Sequence, residues 1–467
     1  MKMKKNFLKI ILLMIFVSQW GCKKFMDVNV SPNDPQTVSV DFMLPAIQVS
    51  MFQDNNGHLA RLTSMLLHHS AGTDRQYQAY DLTYNITESE IDNEWNNLFA
   101  HTLMNATQLI QKADAGGNPW YAGIGRIIKA FGLGLATDLW GDIPNSEAFK
   151  GVENLTPKYD SQQQVYQDIQ KLLSDAITNL NQPANKNVIK PGSNDLIFGG
   201  DISKWKILAY ILKARYANNL SKKNPSGSAT EALQYVNEAK NLGASNASDM
   251  YAIFGAAATN NNLWFQFLSD RDGYISMGKF FIDLLLNTND PRISFYAEVN
   301  DSGIYYGADP GGENFYDGGW SKINMNTLAG PDSPIPMVTY TELLFIEAEA
   351  QKRLGNEAAA SAAYDAAITA SLEQCNVSAT DIAIYLSAHG SNGNPVTLEQ
   401  IMTQKYIALF TNIQAYTDWR RTNFPSLTPS GSNTQIPRRM PTPQSERIFN
   451  PNARVNNNLY DRVWWDQ

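Results

Sequence analysis

The sequence predicts a mainly α fold: four tetratricopeptide-like helix pairs plus an irregular, loop-rich region with a few short β-hairpins. Three observations carry that prediction. Tyr340 to Leu372 reads as two antiparallel helices joined at Gly355-Asn356, where a left-handed backbone closes the first of them. Its Ala348, Ala360, Tyr364 and Ala367 fall at the spacing of small residues where paired helices touch. One such pair cannot bury its apolar face alone and needs about three stacked neighbours. Val165, Ile169, Leu172, Leu173, Ala176, Ile177 and Leu180 form a second clear amphipathic stripe. Residues 250–337, by contrast, lose helical periodicity and fill with Gly, Asn, Asp and scattered aromatics.

A chain of 467 residues, 43% hydrophobic and 11% aromatic, buries a large core. Removing residues 1–21 takes four lysines from a net charge of −8 and leaves −12. That excludes nucleic acid as the expected partner, because phosphate binding needs a basic surface. The overall charge does not suggest electrostatic docking to anionic lipid either. Many asparagines and tyrosines suit neutral polar ligands.

Lys2, Lys4 and Lys5 precede the apolar run Phe7 to Val17, which is too short to span a bilayer and reads as a secretory signal over residues 1–21. Cys22 follows Gly21, the arrangement of a lipoprotein cleavage site. The residue three before it is Gln19, where leucine is usual. A plain secretory signal with an incidental Cys22 is the alternative. Acylation of Cys22 makes residues 22–41 a lipidated tether, leaving 42–467 as a single domain: a helical frame at 42–249 and 338–424, a ligand region at 250–337 and a wrapped tail at 425–467. Only Cys375 remains after Cys22, so no disulfide forms within the mature chain. His389, its nearest histidine, falls in a Gly/Ser/Asn loop, so a catalytic thiol lacks a partner.

In chain order, the helix pairs are 44–70 with 91–112, 121–139 with 163–181, 203–220 with 229–242, and 340–354 with 357–372. The glycines at 123, 125, 132 and 134 lie on a helix with no preceding strand, so close helix packing accounts for them better than phosphate binding. Within 250–337 only Lys279 to Asn287 reads as helix, and Asn300 to Gly303 reads as a hairpin turn. A helix from Leu398 to Asp418 then leads into a Pro-rich, non-helical tail.

The motifs KKFMDVNVSPNDP, GRIIKAFGLGLATDLWGDIPNSEAF, LKARYANNL, LLFIEAEAQKRLGN, IMTQKYIALFTNIQAYTDWRRTNFP and RRMPTPQSERIFNPNA occur in that order behind Cys22. Over nearly its whole length the chain resembles the SusD/RagB family, in its SusD-like branch. The resemblance implies a lipoprotein on the outer face of the outer membrane. It further implies a nutrient-binding protein, not an enzyme, that hands oligosaccharide, or in some relatives peptide, to a SusC-like TonB-dependent transporter faced by the helical frame. It implies no cofactor. Asp138, Gly141, Asp142 and Pro144 match as turn formers, and Arg215, Arg420 and Arg421 match as arginines that pair with carboxylates or cap helices.

Sugars are held by aromatic faces and by amides and carboxylates on rigid loops. Two loop regions offer that mixture: Arg75, Tyr77 and Tyr80 with Asp74 and Gln76, and Trp264, Tyr274, Tyr306, Tyr316 and Trp320 interleaved with Tyr305, Asn262, Asp270, Asp272 and Asp317. Trp95, Trp140 and Trp205 fall on helical stripes or turns and are assigned to the core. A glycoside hydrolase would need two carboxylates at a set separation, and pairs such as Asp270 and Asp272 are expected by chance in an acidic chain. Asp270 to Gly273 is too short for a calcium loop, and His58, His68, His69 and His101 lack zinc-site spacing. No metal site and no catalytic residue is expected.

Overall fold

The computed structural model describes residues 38–312 and 318–467. The signal, Cys22, most of the tether and Tyr316 lie outside them. Helix α1 (Val40–Asn56) buries Leu44, Ile47 and Met51, and α2 (His58–Leu66) follows after Gly57. Strand β1 (Ser70–Gly72) leads into α3 (Arg75–Thr83). Asp92–Asn96, a π-helical turn at Asn97–Leu103 and α4 (Met104–Ala115) then form one helical run, which packs along α1 as the first pair.

Pro119 stands at the first position of α5 (Pro119–Trp140), where its missing N–H costs nothing. This helix pairs with α6 (Gln162–Leu180), which is capped by Ser161. The small strands β2 (Ile143–Pro144) and β3 (Tyr159–Asp160) close the turn between them. The glycines of α5 serve packing: a Cβ at Gly123 would lie 2.8 Å from Leu180 Cγ, and one at Gly134 would lie 2.0 Å from the Tyr216 hydroxyl.

Helices α7 (Ile202–Asn219) and α8 (Pro225–Asn241) form the third pair. Strand β4 (Met250–Ala252), α9 (Leu263–Asp270), strand β5 (Ile275–Met277) and α10 (Lys279–Asn287) follow, and β6 (Ile335–Val338) returns antiparallel to β4. The fourth pair is α11 (Tyr340–Arg353) with α12 (Glu357–Gln374), and α8 stacks on α11 to join it to the third. Ala348, Ala360, Tyr364 and Ala367 are buried together in a second apolar cluster with Ile401 and Met402.

Several local expectations need correction. His389 ends a helix, α13 (Ala379–His389), and does not lie in a loop. The stretch from Leu398 is two helices, α14 (Leu398–Ala408) and α15 (Ile413–Thr422), separated where Thr411 takes a φ of 68° and Asn412 caps the second. Arg420 and Arg421 therefore sit in the last turn of α15, not past it. The irregular region holds α9 and a short helix at Ile293–Tyr296 besides α10, and the tail holds one at Gln444–Phe449.

The matching arginines are structural. Arg215 forms a fork with Glu342 at 2.7 and 2.5 Å, and Arg421 grips Glu349 and Asp418 at 2.6 to 2.8 Å. Arg420 donates to the carbonyls of Asp138 and Arg438.

Candidate functional site

The two loop regions that looked separate in sequence meet at one ladder. β1 and β5 pair antiparallel, with Ser70 opposite Met277 and Gly72 opposite Ile275. The contact extends beyond the strands: Thr73 N–H donates to Tyr274 O at 2.9 Å, and Thr73 Oγ1 donates to Gly273 O at 2.7 Å. Two more segments join the same ladder. Met277 N–H donates to Ser321 O, Ser321 N–H donates to Tyr306 O at 2.7 Å, and Ala308 N–H donates back to Met277 O. Backbone pairing, not side-chain chance, thus sets Arg75, Tyr274, Tyr306 and Trp320 around one short sheet. Gly307 permits it, because a Cβ there would stand 2.5 Å from Lys279 Cα.

Exposure sorts the aromatics. Tyr306 is 47% exposed, with Lys279 Nζ 5.9 Å from its ring centre, while Tyr274 and Trp320 are half-buried. The exposed Arg75 starts α3 beside its cap Asp74. Asp272 and Lys322 form an ion pair at 2.8 Å on the same surface. Tyr77, Tyr80 and Trp264 are buried: Trp264, at 1% exposure, anchors the start of α9, which Asn262 caps. They therefore stand behind the surface as support. Tyr316 lies outside the described residues.

A shallow depression of about 230 Å³ adjoins this ladder, lined by Gln53, Arg61, Gln266, Phe267, Asp270 and Arg271 among others. Phe267 links the two aromatic sets: its ring centre is 5.0 Å from Tyr77 and 6.4 Å from Tyr274. The Arg61 guanidinium lies 4.3 Å above Phe267 and donates Nε–H to the Tyr77 hydroxyl at 3.0 Å. That hydroxyl sits 2.9 Å from His58 Nδ1. Burial, and then the Arg61 charge, push His58 down to about 3, so the ring is neutral at ordinary pH and its Nδ1 can accept from Tyr77. Sequence reasoning missed Arg61, Gln266, Phe267 and Arg271. The apolar spacing of Leu263, Phe267 and Leu268 is the signal that could have found them.

Beneath the ladder, the buried Asp81 carboxylate ties three segments together. Its Oδ2 accepts from Gly72 N–H and Gly311 N–H at 3.0 and 3.1 Å, and its Oδ1 accepts from Ser430 Oγ at 3.1 Å. Burial pushes its pKa up to about 7, against the pull of those hydrogen bonds.

A larger polar cleft, about 680 Å³, lies at the C-terminal end of α5 and includes Trp140, Asp142, Arg439, Arg454 and Trp464. Its guanidinium groups are already engaged: Arg454 pairs with Asp142, and Arg439 donates to Trp140 O. No group of three or more His, Cys, Asp or Glu among the described residues could hold a metal ion. Nor is any described helix long and apolar enough to cross a membrane.

Residues 32–443 match the SusD-like family described as starch-binding and associating with the outer membrane. The chain belongs to the SusD-like family. Its fold is similar to that of a chitin-binding protein, 26% identical, with a TM-score of 0.78 over 92% of this chain and all of that one. A SusD/RagB family protein from Bacteroides thetaiotaomicron is 25% identical, with a TM-score of 0.78 over 92% of this chain and 99% of the other. A chitin-binding SusD homolog from Flavobacterium johnsoniae shares the fold, with 23% identity and a TM-score of 0.74 over 92% and 98% of the two chains. No curated protein matches. The SusD-like family binds carbohydrate and is associated with the outer membrane.

Proposed function

We propose that this protein is a non-enzymatic cell-surface lipoprotein, anchored through acylated Cys22, that binds an oligosaccharide and delivers it to a SusC-like TonB-dependent transporter. The observation that carries the binding half is the ladder that holds Tyr274, Tyr306 and Trp320 beside the amide, carboxylate and guanidinium groups of Gln266, Asp270, Arg271 and Arg75. Rigid aromatic rings next to fixed polar groups are the chemistry of sugar recognition. The resemblance to a chitin-binding protein puts chito-oligosaccharides first among ligands to try, and the family description puts malto-oligosaccharides second. Peptide is the alternative ligand class.

The test is calorimetric titration with both oligosaccharide series and a peptide mixture, alongside an assay for released reducing ends. Tyr306→Ala and Trp320→Ala should each weaken sugar binding by about 1–2 kcal/mol, roughly five- to thirtyfold, with Tm nearly unchanged. A fall in Tm with unaltered affinity would assign these rings to packing. Loss of affinity in Trp464→Ala instead would move the site to the larger cleft, and release of reducing ends would replace binding with hydrolysis.

A further inference from the structure

A cavity of about 350 Å³ opens between the short helix at Ile293–Tyr296, the β4–β6 pair and the C-terminal ends of α12 and α14. It shares no lining residue with the depression beside the ladder. Its floor is built of rings: Tyr296 and Phe410 are buried with their centres 5.1 Å apart, and Phe281 backs Phe410 in a stack at 4.9 Å. Buried Leu328 completes that floor, while Asn326, Pro334 and Asn376 are exposed and form the mouth. Such a volume falls among small-molecule sites, which run from about 300 to 1,000 Å³.

We propose that this cavity binds a small, uncharged aromatic molecule that carries a hydrogen-bond donor, the chemistry of a neutral phenol. Three observations select that occupant. The first is the absence of charge: among the described residues no Asp, Glu, Lys, Arg or His lines the cavity, in a chain in which 18% of residues are charged. Cys375 lines it too, and burial pushes its thiol up to about 11, so it is neutral at ordinary pH. The carboxylates standing behind the lining are engaged. Asp249 accepts from Tyr340 N–H at 2.6 Å and Gln374 Nε2 at 2.9 Å, Glu298 accepts from Met325 N–H and Asn326 Nδ2 at 3.0 and 3.1 Å, and Asp290 holds Arg292 at 2.6 Å. An anion would meet like charges there, and an ammonium would lose its water against rings with no lining carboxylate to replace it.

The second is the Gln374 amide in the cavity wall. Its Nε2 donates to Asp249 Oδ2 and to the Tyr251 hydroxyl at 3.1 Å, which fixes the amide. A carboxylate accepts only, so this pairing sets which end of the amide is which and leaves Oε1 as an acceptor with no protein donor among the described residues. The third is where polarity lies. A sugar ring carries hydroxyls around its edge that each need a partner, whereas a phenol carries one. The floor has ring faces and Leu328, and its single hydroxyl, that of Tyr296, already has Cys375 Sγ at 3.6 Å. Offset or edge-on packing of one more ring suits it. This inference stands apart from the sugar reading of the ladder.

The test is a ligand-observed NMR titration of the full chain at neutral pH with p-cresol, its anionic analogue 4-hydroxybenzoate, its cationic analogue tyramine, and toluene, which has no donor. p-Cresol should bind about tenfold or more tightly than either charged analogue and roughly three- to tenfold more tightly than toluene. Ala408 is half-buried on the cavity wall at the end of α14, and Ala408→Leu should fill the space and weaken p-cresol about tenfold at unchanged Tm. Photolabelling of the parent chain with 4-azidophenol, displaced by p-cresol, frees the test from the folding of that variant: the label should concentrate in residues 326–336 and 374–376. Label placed elsewhere would overturn the inference. So would a charged analogue or toluene that binds as tightly as p-cresol, or p-cresol binding unaltered in a folded Ala408→Leu chain.

Discussion

Asp81 shows how one side chain carries information about the site that no motif announces. It is fully enclosed, and its carboxylate is the common acceptor for β1, for the loop at Gly311 and for Ser430 of the tail. Its pKa rises from 3.8 to about 7 on folding, so between those values the folded chain binds more protons than the unfolded one. Stability therefore falls as pH rises from about 4 to 7, by up to about 4 kcal/mol from this group. Asp81→Asn keeps an acceptor for the two amides and cannot ionise. Urea unfolding across pH 4 to 8 should show a shallower decline for this variant than for the parent chain, and a parallel pair of curves would refute the assignment. The sequence reading leaves Asp81 in a polar loop, whereas it lies on α3, and nothing marks it because its partners are 9, 230 and 349 positions away.

At the scale of elements, the helix pairs were readable from the helical spacing of their apolar residues, although α5 and α7 are buried on nearly every side. The stretch Ala379–His389 was not, since only Ile382 and Tyr385 of that helix are buried. The break in the Leu398 helix was hidden for another reason: Tyr406 to Phe410 is apolar up to it and Ile413 resumes beyond it, so only the polar pair Thr411-Asn412 interrupts the pattern, and the turn itself lies in the left-handed backbone of Thr411. What the stripes could not reveal is the charge network that locks α15 to the fourth pair. Arg421 reaches Glu349 of α11 and Asp418 of its own helix, and Lys405 of α14 lies 2.7 Å from Asp418. Burial alone would raise the Glu349 pKa, yet Arg421, Arg353 and Lys405 outweigh it and hold the carboxyl below its ordinary range. Its contribution is therefore present above the ordinary glutamate pKa and lost on acidification. Arg421→Met removes the cation that two buried carboxylates share, leaving Lys405 beside Asp418 and Arg353 beside Glu349, and denaturant unfolding should show a loss of about 3–5 kcal/mol. Sugar affinity of the folded fraction should stay unchanged; a loss below 1 kcal/mol would show that the network is balanced by solvent.

For the whole molecule, closure depends on the tail returning to the frame. The two halves of the candidate site were read as separate loops because a three-residue strand at 70–72 carries no trace of a partner 200 positions later. The tail had the opposite character: its prolines excluded long helices, but nothing in them located its contacts. Those contacts are deep. Trp465 is fully buried and donates its indole N–H to Asp138 at 2.9 Å, inside the turn motif at the end of α5. Asp466 next to it accepts from Lys222 and Arg438, and its carboxyl stays below the ordinary range because these partners outweigh its burial. Ser430, earlier in the tail, reaches Tyr84, His68 and Asp81 below the ladder. The tail thus bridges the α5 turn and the floor of the site, so loosening one end should be felt at the other. Trp465→Ala removes a large enclosed ring and leaves Asp138 short of one donor, which should lower stability by about 3–5 kcal/mol. Hydrogen exchange should then show faster exchange at the Gly72 and Gly311 amides as well as around residue 138. If the faster exchange stopped at the α5 turn, the tail would be two independent clamps, and the ladder would owe its rigidity to β1 and β5 alone.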